Sequence, residues 1–222
     1  AGHPMARQVP GHPVPRQLPV GIGDFIGRTG SLDRLDALLP AGNADAATAV
    51  VISAIAGTAG IGKTTLALHW AHRVADRFPD GQLYVNLRGF DPTPSALRPG
   101  DAIRGFLDAL GVAPERVPAD LREQADLYRS LLAGRRMLIV LDNARDADQV
   151  RPLLPAGPGC LALVTSRSRL GGLVAGEGAH RVPLDVLPPP EAGRLLATIL
   201  GTARVSAEPA ATGHLADACG HL

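Results

Sequence analysis

The stretch GTAGIGKTTLA at residues 57–67 constrains this chain more than any other feature in it. Gly57, Gly62, Lys63 and Thr64 fill the pattern G-x-x-x-x-G-K-[ST], with Thr58, Ala59, Gly60 and Ile61 between the glycines. Upstream, AVVISAI (49–55) is a β-branched run. Downstream, GKTTLALHWAHRVADRF (62–78) carries apolar residues at helical spacing. A strand must therefore feed a glycine loop that opens directly into a helix. Glycines let the loop turn its backbone N–H groups inward, and the first helical turn adds orphan donors and partial positive charge. That arrangement cradles phosphate.

Lys63 is the one lysine among 22 Lys and Arg residues. A composition that uses arginine for every other basic position keeps a slim, mobile ammonium here, where a planar guanidinium is too bulky. The motif assigns Lys63 to the β/γ-phosphates of a nucleotide and the hydroxyl of Thr64 to Mg²⁺, with Thr65 completing the loop and helix start.

The rest of the chain alternates. Strands are expected at QLYVNL (82–87), RMLIVLDN (136–143), CLALVTSR (160–167) and HRVPLDVL (180–187). Helices are expected at 31–39 with Ser31 as N-cap, and at 100–110, 119–133, 147–154, 189–200 and 207–219. Strands that are apolar throughout and separated by helices belong to a parallel sheet covered on both faces. The fold class is α/β, doubly wound, of the P-loop NTPase type. Residues 1–24 hold five prolines and no helical period, which describes an extended linker or tail. Residues 25–200 form the nucleotide-binding domain, and 201–222 begin a helical subdomain.

MLIVLDN ends in Asp142, and a carboxylate at the C-terminal end of a parallel strand faces the ligand crevice. Asp142 is therefore assigned to Mg²⁺, while Asp146 suits a helix cap better. Asn143 stands where many hydrolysing P-loop ATPases carry a second acid. An amide orients water but takes no proton from it, so either hydrolysis is slow or another group assists. Arg167, after the next strand, is placed either to read a γ-phosphate or as one more surface arginine. His69 and His72 lie at i, i+3 without an evident third ligand, and are read as a solvated or partly buried pair.

Composition removes several classes. The net charge of +1 makes no case for a nucleic-acid or anionic-membrane surface. Two cysteines make neither a disulfide framework nor a metal site, and Cys160 reads as a small buried hydrophobe. The opening residues lack an apolar leader segment, and no stretch reads as a membrane span. A cytoplasmic setting follows. With Lys63 as sole lysine, the guanine-reading N-K-x-D motif is impossible. A transporter-type LSGGQ signature is missing, and no acceptor-binding lid is evident. Adenine is the expected base.

Taken in order, FIGR (25–28), GTAGIGKTT (57–65), MLIVLDNARDADQV (137–150), LVTSR (163–167) and LDVLPPPEAGRLL (184–196) resemble the NB-ARC module of STAND-class signalling ATPases. More narrowly, the set is similar to the central ATPase domain of large actinobacterial regulators of the SARP type, over roughly residues 18–222. The resemblance implies that Ile26 lines the base, that Gly27 and Arg28 lie beside the nucleotide, and that Arg167 is the sensor arginine. It implies a switch that binds ATP or ADP with Mg²⁺, hydrolyses weakly and forms an ATP-dependent homo-oligomer. DNA is contacted only through another domain of the intact protein, and the biology is control of antibiotic biosynthesis. It also implies that LADACGHL begins a G-x-P-L segment, so that the helical subdomain is incomplete at Leu222. Two other readings share the loop: a stand-alone ATPase or phosphotransferase with real turnover, and an ADP-locked interaction scaffold.

Overall fold

A computed structural model describes residues 13–21, 23, 25–39, 51–91 and 96–221. Residues 1–12 of the expected tail, positions 49–50 of the first expected strand and Leu222 lie outside the described residues. In chain order the elements are α1 (Thr29–Asp36), β1 (Val51–Ala56), α2 (Lys63–Val74), β2 (Gly81–Asn86), α3 (Pro99–Ala109), α4 (Leu121–Leu132) and β3 (Met137–Ala144). Then come α5 (Ala147–Val150), β4 (Leu161–Ser166), α6 (Gly171–Glu177), β5 (His180–Pro183), α7 (Pro189–Leu200), α8 (Thr202–Ala207) and α9 (Pro209–Ala218). The five strands form one sheet in the order β2-β3-β4-β1-β5, and every pair is parallel.

The sheet is buried on both faces, as its unalternating strands require. Along β3, Met137, Ile139 and Leu141 enter a core with Ile103, Phe106 and Leu107 of α3 and Tyr128 and Leu132 of α4. The intervening Leu138 and Val140 enter a second core with Leu32 and Leu35 of α1 and Leu66 and Trp70 of α2. Period-two alternation thus divides apolar residues between two layers of helix, which is the architecture the sequence implied. A small third core, Leu187, Ala192 and Ala216, lies under α7 and α9. Among the described residues no helix is long and apolar enough to cross a membrane.

Local chemistry explains most element ends. Asp120 caps α4 by accepting from the N–H groups of Arg122 and Glu123, and Asp146 caps α5 through Gln149 N–H. Ser31, however, is not the cap of α1. The left-handed turn at Arg28 (φ 63°) starts that helix three residues earlier, and Arg28 O accepts from the N–H of both Ser31 and Leu32. β5 stops at Pro183 instead of running to 187, because its pairing with β1 reaches only Ala56↔Pro183. The helix expected at 207–219 is α9, and the short α8 precedes it. α6 was not expected at all.

The proline-rich segment also has a place. Pro15 O accepts from Gln82 N–H at 2.8 Å, and Gln17 N–H donates to Gln82 O at 3.0 Å. These residues close the outer edge of β2, a position that suits prolines, which have no donor to leave unpaired. A side chain at Gly81 would begin 2.7 Å from Pro15 O, so glycine is what admits the close approach.

Gln149 holds the crossover after β2. Its Nε2 donates to Leu87 O at 2.9 Å and Leu97 O at 2.8 Å, and its Oε1 accepts from Arg145 N–H at 2.8 Å. The side chain is buried. Gln149→Leu strands three backbone groups, and an expected loss of about 3 kcal/mol follows at roughly 1 kcal/mol for each. Chemical denaturation measures it; a midpoint unchanged from wild type contradicts this account.

Candidate nucleotide site

β1 delivers the chain to the loop at the C-terminal edge of the sheet. Gly60 (φ 78°) and Gly62 (φ 88°) hold left-handed backbone that other residues rarely adopt. Gly62 caps α2 without a side-chain hydrogen bond to the first N–H groups of the helix. Lys63 bends back over the loop, and its Nζ donates to Gly57 O at 2.9 Å and Thr58 O at 2.6 Å. Partial burial lowers its pKa first and nearby Arg167 lowers it further, with Asp142 opposing. As the one lysine of the chain, Lys63 sets its ammonium against the loop carbonyls.

Asp142 comes from β3, two strands from β1, and meets Thr64 across the sheet edge. Thr64 Oγ1 donates to Asp142 Oδ1 at 2.7 Å, Thr165 Oγ1 donates to the same oxygen at 2.5 Å, and Tyr84 Oη donates to Oδ2 at 3.3 Å. Burial, then the charge and hydrogen bond of Asp142, push the Tyr84 phenol up to about 12. Asp142 is only 4% exposed, yet these partners are all neutral hydroxyls. A buried carboxylate held this way suits a hard cation, and Mg²⁺ uses one or two carboxylates with a hydroxyl and phosphate oxygens. Among the described residues no cluster of three His, Cys, Asp or Glu could hold a metal without such help.

The strand carrying Asp142 is irregular just beyond it. The register of β3 against β4 shifts between Leu141 and Ala144, and Asn143 adopts φ 56°. Asn tolerates that conformation, and a bulge here re-aims its side chain. Asn143 N–H donates to Thr165 Oγ1 at 2.9 Å, and its Nδ2 donates to Asp91 Oδ1 at 2.8 Å. Arg167, just past β4, places its guanidinium 5.3 Å from the centre of the Phe90 ring. One cavity of about 490 Å³ is lined by Ala59, Gly60, Gly62, Lys63, Thr64, Thr65, Tyr84, Asn86, Asp142, Asn143, Thr165 and Arg167.

The structure therefore brings Lys63, Thr64, Asp142, Asn143 and Arg167 to one space. Gly57 and Thr58 contribute the carbonyls that hold Lys63, and Ile61 is buried in the α2-side core as the loop's anchor. Ile26, Gly27 and Arg28 do not line this cavity. Arg28 lies behind the loop: one guanidinium nitrogen donates to Ile61 O at 2.9 Å, the other donates to Asp185 O, and its N–H donates to Glu191 Oε2 at 3.2 Å. Burial lowers its pKa, while Glu191 and Asp185 oppose that shift. Arg28 thus joins the phosphate loop to the start of α7.

The histidines are structural. His69 stacks on Phe25 with centroids 4.0 Å apart, and His72 Nε2 lies 2.7 Å from Pro19 O. Cys160 is buried, which pushes its thiol up to about 11 and leaves it an unreactive core group. Sequence reasoning missed Tyr84, Asn86, Thr165 and Asp91. Thr165 lies within LVTSR (163–167), two residues before Arg167.

Two known proteins resemble the chain over nearly all of its length. The regulatory protein AfsR of Streptomyces coelicolor is 49% identical over 210 residues, which is 94% of this chain and 21% of that protein. AfsR of Streptomyces griseus is 49% identical over 208 residues, covering 94% and 20%. The chain is similar to AfsR over nearly all of its length, and its fold is that of P-loop NTPases. It spans about a fifth of the length of these relatives. No protein-family model matches the chain.

Solved structures agree on the fold. A Signal Transduction ATPase with Numerous Domains (STAND) protein with a tetratricopeptide repeat sensor, from Pyrococcus horikoshii, superposes with TM-score 0.52 at 21% identity. The match covers 94% of this chain and 30% of that one. The Aeropyrum pernix ORC1 protein, in complex with DNA, gives 0.53 at 18% identity, covering 79% and 49%. At 18–21% identity these structures share the fold with this chain.

Proposed function

We propose that the module is an adenine-nucleotide switch inside a larger bacterial transcriptional regulator. The observation that carries this reading is the convergence of Lys63, the Thr64–Asp142 pair and Arg167 on one cavity at the C-terminal edge of a parallel sheet. Lys63 and the loop N–H groups hold the phosphates of ATP or ADP, and Arg167 reads the γ-phosphate. Thr64 and Asp142 hold Mg²⁺, which when bound neutralises charge on the phosphates. The Arg28 links to Ile61, Asp185 and Glu191 give the loop a mechanical path to α7–α9, which is what a switch needs beyond a binding site. The sequence resemblance to SARP-type regulators supports control of secondary-metabolite biosynthesis, in the cytoplasm. DNA is bound through another domain of the intact protein, and ATP drives homo-oligomerisation. Hydrolysis is weak, since Asn143 is not a base.

Titration with fluorescently labelled ADP and ATP, with and without Mg²⁺, tests the reading. Saturable binding, displaced by unlabelled adenine nucleotide but not by GTP, is the expected result. Absence of saturable binding, or equal displacement by GTP, overturns it.

A further inference from the structure

Asn143 leaves open how a neutral amide orients water, and the loop after β2 supplies an answer. β2 and β3 run in register to Asn86↔Asp142, so residues 87–91 emerge beside Asn143. Leu87 N–H donates to Asp142 O at 2.8 Å and Gly89 N–H to Asn143 O at 2.7 Å. A Cβ on Gly89 would begin 2.3 Å from Arg145 N and 2.6 Å from Asn143 O, so only glycine lets the loop press this close. Gln149 anchors the same loop at Leu87 O and Leu97 O. Residues 87–91 are therefore held by backbone on one side and by a buried amide at Leu87 O.

This fixed loop sets Asp91 against Asn143. A carboxylate accepts and does not donate, so the 2.8 Å contact to Asp91 Oδ1 must be made by the NH₂ end of the amide. That leaves Oδ1 as the acceptor Asn143 offers to the cavity it lines. The neighbouring Phe90 lies under Arg167, so one loop touches both the amide and the arginine that face the phosphates.

We infer that Asp91 is a positioning residue for ATP hydrolysis: it locks the Asn143 amide with its carbonyl oxygen toward the attacking water. The inference rests on the adenine-nucleotide reading above. Water oxygen bonds to the γ-phosphorus, and the bond to the bridging oxygen breaks with its electron pair left on ADP. One water proton stays on the attacking oxygen and the other passes to a phosphoryl oxygen, giving dihydrogen phosphate. Asn143 accepts a hydrogen bond throughout and takes no proton. Asp91 never touches the nucleotide. It removes the amide's freedom to flip and present a donor to the water, a misorientation that defeats in-line attack.

The test compares phosphate release by wild type, Asp91→Ala, Asn143→Asp and the exchange Asp91→Asn/Asn143→Asp, with Lys63→Ala as blank. Asp91→Ala is expected to lower kcat about tenfold or more while leaving KM and labelled-ADP affinity in place. Asn143→Asp sets two carboxylates at contact distance and is also slow. The exchange restores a donor–acceptor pair and recovers the turnover both single variants lose, a rescue that a merely structural loop would not give. In nucleotide-free protein, the Asn143 side-chain amide protons, followed by NMR, exchange slowly in wild type and fast in Asp91→Ala. Wild-type kcat in Asp91→Ala, an exchange variant no better than the singles, or wild-type turnover no greater than the blank overturns the inference. The last of these, with ADP binding intact, leaves the switch reading standing. Loss of binding itself brings down both.

Discussion

Lys63→Ala is expected to weaken Mg-ATP binding about a hundredfold, or about 2.7 kcal/mol, while the protein melts as wild type does. The size follows from what the ammonium does. It is the positive centre of the loop, and a charge-assisted hydrogen bond to phosphate contributes about 1.5–3 kcal/mol. Its protein partners are Gly57 O and Thr58 O, two loop carbonyls at a partly exposed site, so the folded state loses little without it. Lys63→Arg is expected to fail nearly as badly. The three donors of an ammonium satisfy two carbonyls, at 2.9 and 2.6 Å, and still reach a phosphate, whereas a flat guanidinium needs more room. Calorimetric titration with ATP and thermal melting check both halves. Full affinity in the alanine variant would sink the assignment of the loop, and so would a large fall in melting temperature.

Local signals made this part of the site legible. The loop motif, the apolar strand ending in Asp142 and the arginine after LVTSR are each contiguous, and each sits at the end of a strand readable from its own residues. The remainder depends on strand order. Asp142 meets Thr165 because β3 lies beside β4, and meets Tyr84 because β2 lies beside β3. Asp91 meets Asn143 across 52 residues of sequence. None of those pairings leaves a mark in a one-dimensional pattern, since Thr and Tyr are ordinary strand residues. α6 was illegible for another reason. GGLVAGE has three glycines and no helical period, and the segment contributes a buried Leu173 to the core. Tertiary burial there overrides propensity. For the proline-rich segment, composition describes an extended linker but does not report that Pro15 and Gln17 pair with an open strand edge.

Gly27 carries the second large effect. Its φ of 70° is left-handed, and a Cβ there would begin 1.9 Å from Glu191 Oε2 and 2.5 Å from Glu191 Cδ. Gly27→Ala therefore incurs both backbone strain and eviction of the carboxylate that accepts Arg28 N–H. The two together are expected to cost about 2–3 kcal/mol. For a domain of this size that is a fall of roughly 4–12 °C in melting temperature. Glu191→Ala alone removes one hydrogen bond and costs about 1 kcal/mol. If the clash is the main term, the two changes cannot add: the double variant Gly27→Ala/Glu191→Ala is expected to be more stable than the sum of the singles predicts, because the clash is gone and the Arg28 hydrogen bond is lost once, although each single variant loses it. Thermal unfolding of the four proteins closes that cycle. Strict additivity would place the cost in the backbone alone, and Glu191 would then lose its role as the strut by which α7 feels the turn behind the phosphate loop. With non-additivity, the same carboxylate that excludes a side chain at Gly27 also fixes Arg28, and through Ile61 O it fixes the loop that Lys63 closes.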